Sequence, residues 1–305
     1  MQRITIATRK SRLALWQTEH VADRLRALHP GLEVELLPLS TRGDEVLDRS
    51  LAEIGGKGLF LKELEHALLD GRADIAVHSL KDVPAEQPEG LELAAWLPRA
   101  NPVDLWITRD GCPIEQLPAG ARVGSSSLRR ISQLRSVRGD LEIGPLRGNV
   151  ETRLAAVREG RVDATILAAA GLERLDIVPE GARPLPPERW LPAPGQGIVV
   201  VQQRSGEADL AARLAGLDCS QARVQAAAER AVVAALGGDC RMPLAAFAQF
   251  VGDDLVLRAR LGDEQGGLID AEVSGPVSRA EQLGDQAAED LLARGGRELL
   301  QALAL

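Results

Sequence analysis

The chain has 305 residues and a formal net charge of −8, with 45% hydrophobic and 26% charged residues, the composition of a globular protein and not of a disordered one. The acidic balance excludes general nucleic-acid binding, and no apolar run reaches the ~20 residues of a membrane helix. Aromatics make up 2% and Tyr is absent, so the cores must rest on Leu, Val, Ile and Ala.

The first hundred residues alternate between strand and helix. Ile4 to Ala7 reads as a strand, Leu13 to Leu28 as a helix ending before Pro30-Gly31, and Glu33 to Leu39 as a second strand. Leu59 to Leu69 has helical spacing and closes near Gly71, and Asp74 to Val77 is a third, buried strand. Such alternation predicts βαβ units with parallel pairing. The pattern then restarts: strand Arg122 to Gly124, helix Leu128 to Val137, strand Leu141 to Leu146, helix Glu151 to Glu159, strand Ala164 to Ala168.

Five prolines between Pro184 and Pro194 precede Gly195-Gln196-Gly197 and predict a stiff, extended crossing between lobes. A strand over Ile198 to Gln202 and a helix from about Gln221 to Leu236 follow, the helix stopped by Gly237-Gly238. Leu255 to Leu261 and Ile269 to Ser274 alternate with period two, and a helix is expected over Arg279 to Leu303. The expected fold class is α/β: two α/β domains and a small C-terminal α+β domain. The N-terminus alternates like a strand and lacks a signal peptide's apolar stretch. Cys112, Cys219 and Cys240 are an odd, scattered set that indicates neither a disulfide framework nor a zinc site, and the histidines suggest no metal. A cytoplasmic protein is expected.

Polar and charged residues concentrate where the predicted strands end, the place where open α/β sheets put their ligands. In AVHSLKDVP, Ser79, Lys81 and Asp82 crowd the end of the third strand before Pro84. In ATRKSRLALWQ, Arg9 and Lys10 precede Ser11, a natural helix N-cap, and exposed amides there favour an anion. VGSSSLRR puts Ser125, Ser126 and Ser127 ahead of Arg129 and Arg130, and LRGNVETRL repeats the design with Arg147 and Arg153. Between Arg122 and Arg153 seven arginines face three acidic residues. A cleft lined with cations is expected, and arginine is suited to gripping carboxylates at two points. GGKGLF is not a phosphate loop, because Lys57 is followed by Gly58 and Leu stands at position 51; it reads as a glycine-rich lid carrying Lys57. The chain has only four lysines, of which Lys10, Lys57 and Lys81 fall in these motifs. Cys240 sits in LGGDCRMP beside Arg241, a setting that favours thiolate.

IATRKSRLALWQ, TRGD, GGKGLF, AVHSLKDVP, SSSLRR, LRGNVETRL, LPAPGQG, AERA and GGDCRMP, in this order, resemble the porphobilinogen deaminase (hydroxymethylbilane synthase) family. The resemblance implies two α/β domains like those of type II periplasmic binding proteins, over 1–98 with 198–217 and over 99–197. A third domain over 218–305 bears the cofactor. It implies a transferase that joins four porphobilinogen units head to tail, releases ammonia each time and frees hydroxymethylbilane with water. A dipyrromethane cofactor held by a thioether primes the chain.

Carried over motif by motif, Cys240 is the cofactor attachment point and Asp82 the catalytic carboxylate. Loss of ammonia from an aminomethylpyrrole leaves an electron-poor azafulvene, whose developing charge Asp82 can stabilise while passing protons at pyrrole nitrogens. Ser11, Lys81, Asp82, Ser125, Ser126, Ser127, Arg129 and Arg130 are implied to hold the cofactor. Arg9, Arg147, Arg153 and Arg174 are implied to hold substrate carboxylates, with Lys57 and Phe60 on a mobile loop. A monomer that passes its product to uroporphyrinogen-III synthase is implied too.

The chain departs from the family pattern at Arg12, at Ala100 to Val103, at Val200-Val201-Gln202 where Gly-x-Glu is common, and at Asp239 where Gly is usual. Two other readings share the two-lobed pattern. A binding protein for a small anion predicts no adduct on Cys240, and the missing export signal weighs against it. A transcriptional effector module would need a basic helix-turn-helix, whereas the chain begins with a strand.

Overall fold

A computed structural model describes residues 2–41, 61–238 and 242–303. They divide into two units: one holds the described residues up to Ala100 together with Gly197–Arg223, the other Asn101–Gln196 and the described residues from Val224 onward.

The first unit is a five-stranded sheet built from β1 (Arg3–Arg9), β2 (Glu33–Leu39), β3 (Ile75–Ser79), β4 (Leu91–Trp96) and β10 (Val199–Arg204), in the order β2-β1-β3-β10-β4. Side chains of successive strand residues point to opposite faces, and the two faces carry different helices. Ile4, Ile6, Ile75, Val77, Val199 and Val201 pack with Val21 and Leu25 of α1 (Arg12–Leu28). Ala7 and Ala76 pack with Leu64, Ala67 and Leu68 of α2 (Lys62–Leu69). Small residues on this second face let the short helix sit close.

The second unit has a sheet of the same design: β5 (Asp104–Thr108), β6 (Arg122–Gly124), β7 (Glu142–Gly144), β8 (Ala164–Ala168) and β9 (Ala182–Leu185), ordered β7-β6-β8-β5-β9. On one face Trp106, Val123, Ile166 and Trp190 pack with Leu134 of α3 (Leu128–Val137). On the other, Ile107 and Leu167 meet Val150 and Leu154 of α4 (Val150–Arg158) and Leu172 of α5 (Ala169–Glu173). The same unit holds an antiparallel sheet of β11 (Leu244–Val251), β12 (Asp254–Gly262) and β13 (Leu268–Pro276). Alternate residues of that sheet bury against α7 (Ser220–Ala235) and α8 (Ala280–Leu291). Between β10 and α7 lies α6 (Ala208–Leu214).

The alternating strands pair in parallel as expected, β1 with β2 and β3, and β6 with β7 and β8, but further strands make each sheet mixed: β10 runs antiparallel to β3 and β4, and β5 antiparallel to β8 and β9. Each of these strands joins its sheet as the chain enters from the other unit, so neither follows a βαβ crossover. The C-terminal helix is interrupted: α8 ends at Leu291, Gly295 takes φ 108°, and α9 (Arg297–Ala302) follows. The left-handed conformation there suits glycine and stops an α-helix. The proline-rich passage is no bare crossing. Pro184 lies on the edge strand β9, where a missing N–H is tolerated, and Trp190, Leu191 and Gln196 are buried within the second unit.

Candidate functional site

In the first unit the chemistry gathers at the carboxyl ends of β1 and β3. These strands are parallel neighbours, with Ile6 opposite Ile75 and Ala7 opposite Ala76, so Arg9 to Ser11 and Ser79 to Asp82 leave the sheet at one edge. Ser11 caps α1, its Oγ accepting from the Ala14 amide at 3.3 Å. Buried Thr8 and Thr18 share a hydroxyl hydrogen bond of 2.7 Å. Gln17, also buried, donates from Nε2 to Ser79 Oγ at 2.8 Å. The end of β3 is thereby tied to α1.

Beyond Ser79 the chain makes a 3-10 turn, Leu80–Asp82. Leu80 and Val83 are both buried, and the Leu80 amide donates to the Ile198 carbonyl at 3.0 Å. These two apolar anchors bracket Lys81 and Asp82, which stay half-buried. A carboxylate is thus held on a short, pinned turn without being sealed inside. Beneath it, His78 is buried, and its pKa is pushed down to about 4, chiefly by desolvation, against the hydrogen bond the ring donates to Gln202 and with repulsion from Arg9 added. The ring is neutral at pH 7.

In the second unit, β6, β7 and β8 are parallel, and the turns that follow them carry the predicted residues. The Ser127 amide donates to Ser125 Oγ at 3.3 Å, and the Leu146 amide to Ser126 Oγ at 3.2 Å. The two turns are therefore laced together. Gly124 makes the approach feasible, since a Cβ there would stand 2.6 Å from Leu146 Cδ2. Gly148 takes φ 102°, Asn149 then caps α4 through Oδ1 at 2.8 Å from the Thr152 amide, and Arg153 Nε donates to the Gly148 carbonyl at 3.0 Å. Arg147 and Arg153 are half-buried. Arg174 closes α5, and burial, only partly offset by Glu173, pushes its pKa down to about 10.

Arg129 and Arg130 are placed differently from a solvent-facing pair. Both are buried and both bind Asp104, which the sequence reading missed. Arg129 donates to Asp104 Oδ2 at 2.9 Å and to the Leu191 carbonyl at 2.8 Å. Arg130 forks onto both carboxylate oxygens, at 3.2 and 2.7 Å, and reaches the Ile166 carbonyl at 2.8 Å. Burial alone would raise the Asp104 carboxyl. The charges of Arg129 and Arg130, with hydrogen bonds from Arg130 and Gln196, outweigh it and hold the group well below the usual carboxylate range. The available signal was a carboxylate opening the apolar run DLWIT, where only a buried counter-cation makes it tolerable.

Cys240, Asp239, Lys57 and Phe60 lie outside the described residues. On either side of the cysteine, Leu236, Met242 and Leu244 belong to the core beneath β11 to β13.

The family model described as porphobilinogen deaminase, dipyromethane cofactor binding domain, matches residues 4–212, and the model for the porphobilinogen deaminase C-terminal domain matches 224–293. A curated porphobilinogen deaminase of Stenotrophomonas maltophilia (strain R551-3) is 55% identical over 98% of this chain and 99% of its own. That of Xanthomonas axonopodis pv. citri (strain 306) is 53% identical over 99% of this chain and 100% of its own. Among solved structures, the periplasmic VFT2 domain of Bordetella pertussis BvgS aligns over 71% of this chain and 86% of that one, with TM-score 0.44 and 17% identity.

Proposed function

Because the chain belongs to the porphobilinogen deaminase family, we propose that Asp82 is its catalytic carboxylate and Cys240 the residue that carries the dipyrromethane cofactor. The protein is a transferase of porphyrin biosynthesis that joins four porphobilinogen units head to tail into hydroxymethylbilane with release of ammonia. The assignment of Asp82 is supported above all by the turn Leu80–Asp82, which presents one half-buried carboxylate at a strand end beside Lys81. A carboxylate so placed can hold a pyrrole N–H and stabilise positive charge as ammonia leaves.

The cofactor is a pair of pyrroles bearing acetate and propionate groups, and the residues present fit such a polyanion. Ser127 makes no side-chain cap bond to α3, so the first-turn amides are not closed off by that hydroxyl and favour an anion. Ser125, Ser126, Arg129 and Arg130 surround the same turn. Ser11 and Lys81 occupy the corresponding edge in the first unit. These residues, with Asp82, would hold the group; when bound, it supplies the pyrrole end on which the product grows. Arg9, Arg147, Arg153 and Arg174 bind the carboxylates of added units, a task for which guanidinium is well shaped.

The same reading divides the chain into domains 1–98 with 198–217, 99–197 and 218–305, and the three separate sheets support it. It takes the protein as a cytoplasmic monomer that passes its product to uroporphyrinogen-III synthase. Scattered cysteines without disulfide spacing suit a reducing compartment.

Intact mass of the purified protein tests the reading. A surplus of two linked pyrrole units on the peptide that contains Cys240 is expected. An unmodified chain that also fails to acquire the adduct from porphobilinogen would defeat it.

A further inference from the structure

Arg129 and Arg130 stand in the first turn of α3, a turn that has no acidic residue. Cations are disfavoured there, because the helix dipole is positive at that end, and burying guanidinium groups adds a desolvation cost. The fold meets both costs with one group. Asp104, fully buried at the start of β5, accepts from Arg129 Nη2, Arg130 Nε and Nη2, Trp190 Nε1 at 3.1 Å and Gln196 Nε2 at 2.9 Å. Three parts of the second unit meet on this carboxylate: the opening of β5, the opening of α3 and the proline-rich passage. One negative charge against two guanidiniums and a helix N-terminus leaves the turn positive, while the donors around the carboxylate fix where that charge sits.

We propose that Asp104 is a positioning residue, which holds Arg129 and Arg130 in a preset orientation and so governs how fast the cofactor-free chain takes up its cofactor. This rests on the reading that the two arginines hold cofactor carboxylates. Asp104 touches neither substrate nor cofactor; it acts through the guanidiniums. A preset site need not reorganise when an anion arrives, and a small misplacement of its groups is costly.

The test compares wild type, Asp104→Asn, Trp190→Phe and Val21→Ala, each prepared without cofactor and incubated with porphobilinogen. Adduct mass is followed over time and the thermal midpoint is measured alongside. Val21 is a buried core residue of the first unit, so its variant lowers stability without touching the cluster. Asp104→Asn is expected to acquire the adduct at least about tenfold more slowly than Val21→Ala compared at equal folded fraction. Trp190→Phe, which removes one donor and keeps the ring, is expected to be slowed by a smaller factor and covers the case in which Asp104→Asn does not fold. If both cluster variants load at the wild-type rate, or are slowed only as far as their unfolded fraction requires, the proposal is overturned while the functional reading stands. A wild-type chain that never acquires the adduct overturns both.

Discussion

His78 Nε2 lies 3.0 Å from Gln202 Oε1, inside the antiparallel pairing of β3 with β10. An amide oxygen can only accept, so the neutral imidazole carries its proton on Nε2. Gln202 in turn donates from Nε2 to Gln87 Oε1 at 3.0 Å, which fixes the orientation of the amide. His78, four positions before Asp82, is therefore held, neutral, in one tautomer by Gln202.

This arrangement predicts a defined loss of stability in acid. His78 has a folded pKa of about 4 against 6.5 for the free group, mainly because burial disfavours the charged ring. A depressed histidine binds its proton more readily in the unfolded chain. Its contribution is therefore complete above pH 6.5 and is lost as pH falls toward 4, amounting to about 3 kcal/mol over that window. Urea denaturation of wild type and His78→Gln at pH 7.5 and at pH 4.5 isolates the effect as a difference of differences. Equal acid sensitivity in the two proteins would show that His78 is not the group responsible.

Placing a carboxylate beside the ring is expected to reverse the shift. In Gln202→Glu the acid lies within hydrogen-bond reach of Nε2 and favours imidazolium, so the pKa of His78 rises from about 4. With only four histidines in the chain, ring-proton NMR can follow each through a titration. An unchanged midpoint for His78 means that the introduced carboxyl is itself kept neutral by burial, and the electrostatic account fails.

Asp82→Asn keeps the size of the side chain and removes its charge. Since the turn is anchored by Leu80 and Val83 and not by Asp82, the variant is expected to fold with a nearly unchanged thermal midpoint. Turnover of porphobilinogen is expected to drop by at least about 10²-fold, the usual scale for removing a charge-stabilising or proton-transferring group. Stopped-assay product formation, read beside the melting curve, checks both halves. Wild-type turnover removes Asp82 from the mechanism.

Much of the fold was legible because its signals are local. Ser11 is a helix cap whose residue type is its own evidence, and β2, β6, α3 and β8 end where apolar periodicity ends. Strand-end clustering of Ser79, Lys81 and Asp82 could likewise be read from order alone. What escaped depends on residues far apart in sequence. Asp104 is 25 positions from Arg129 and 92 from Gln196, and no spacing rule connects them. The strands β5 and β11 lay in stretches where burial on both faces blurs alternation, and β9 in one interrupted by proline. Antiparallel insertion of β5 and β10 follows from the chain passing between units, which is a property of topology and not of any window of residues.

The packing of α7 on α8 yields the last prediction. On α8, Ala280, Leu283, Gly284, Ala287, Ala288 and Leu291 are buried, a helical stripe with its smallest member at the crossing point. A Cβ at position 284 would collide with the Ala228 carbonyl oxygen and the Ala231 Cβ of α7 and stand 3.2 Å from the Val232 amide. Two effects compete in Gly284→Ala. Alanine gains up to about 1 kcal/mol in helix propensity, but the obstruction is backbone, which cannot turn aside as a side chain can, and overpacking costs about 1–3 kcal/mol. The collision wins, so Gly284→Ala is expected to lower stability and Gly284→Val to lower it further. Gly139→Ala is the control, because its Cβ would meet only the Arg135 carbonyl at an ordinary 3.6 Å. Thermal melts of the three variants decide the matter: a Gly284→Ala protein as stable as wild type would mean that the two helices separate at little cost, and that the glycine is not what sets their spacing.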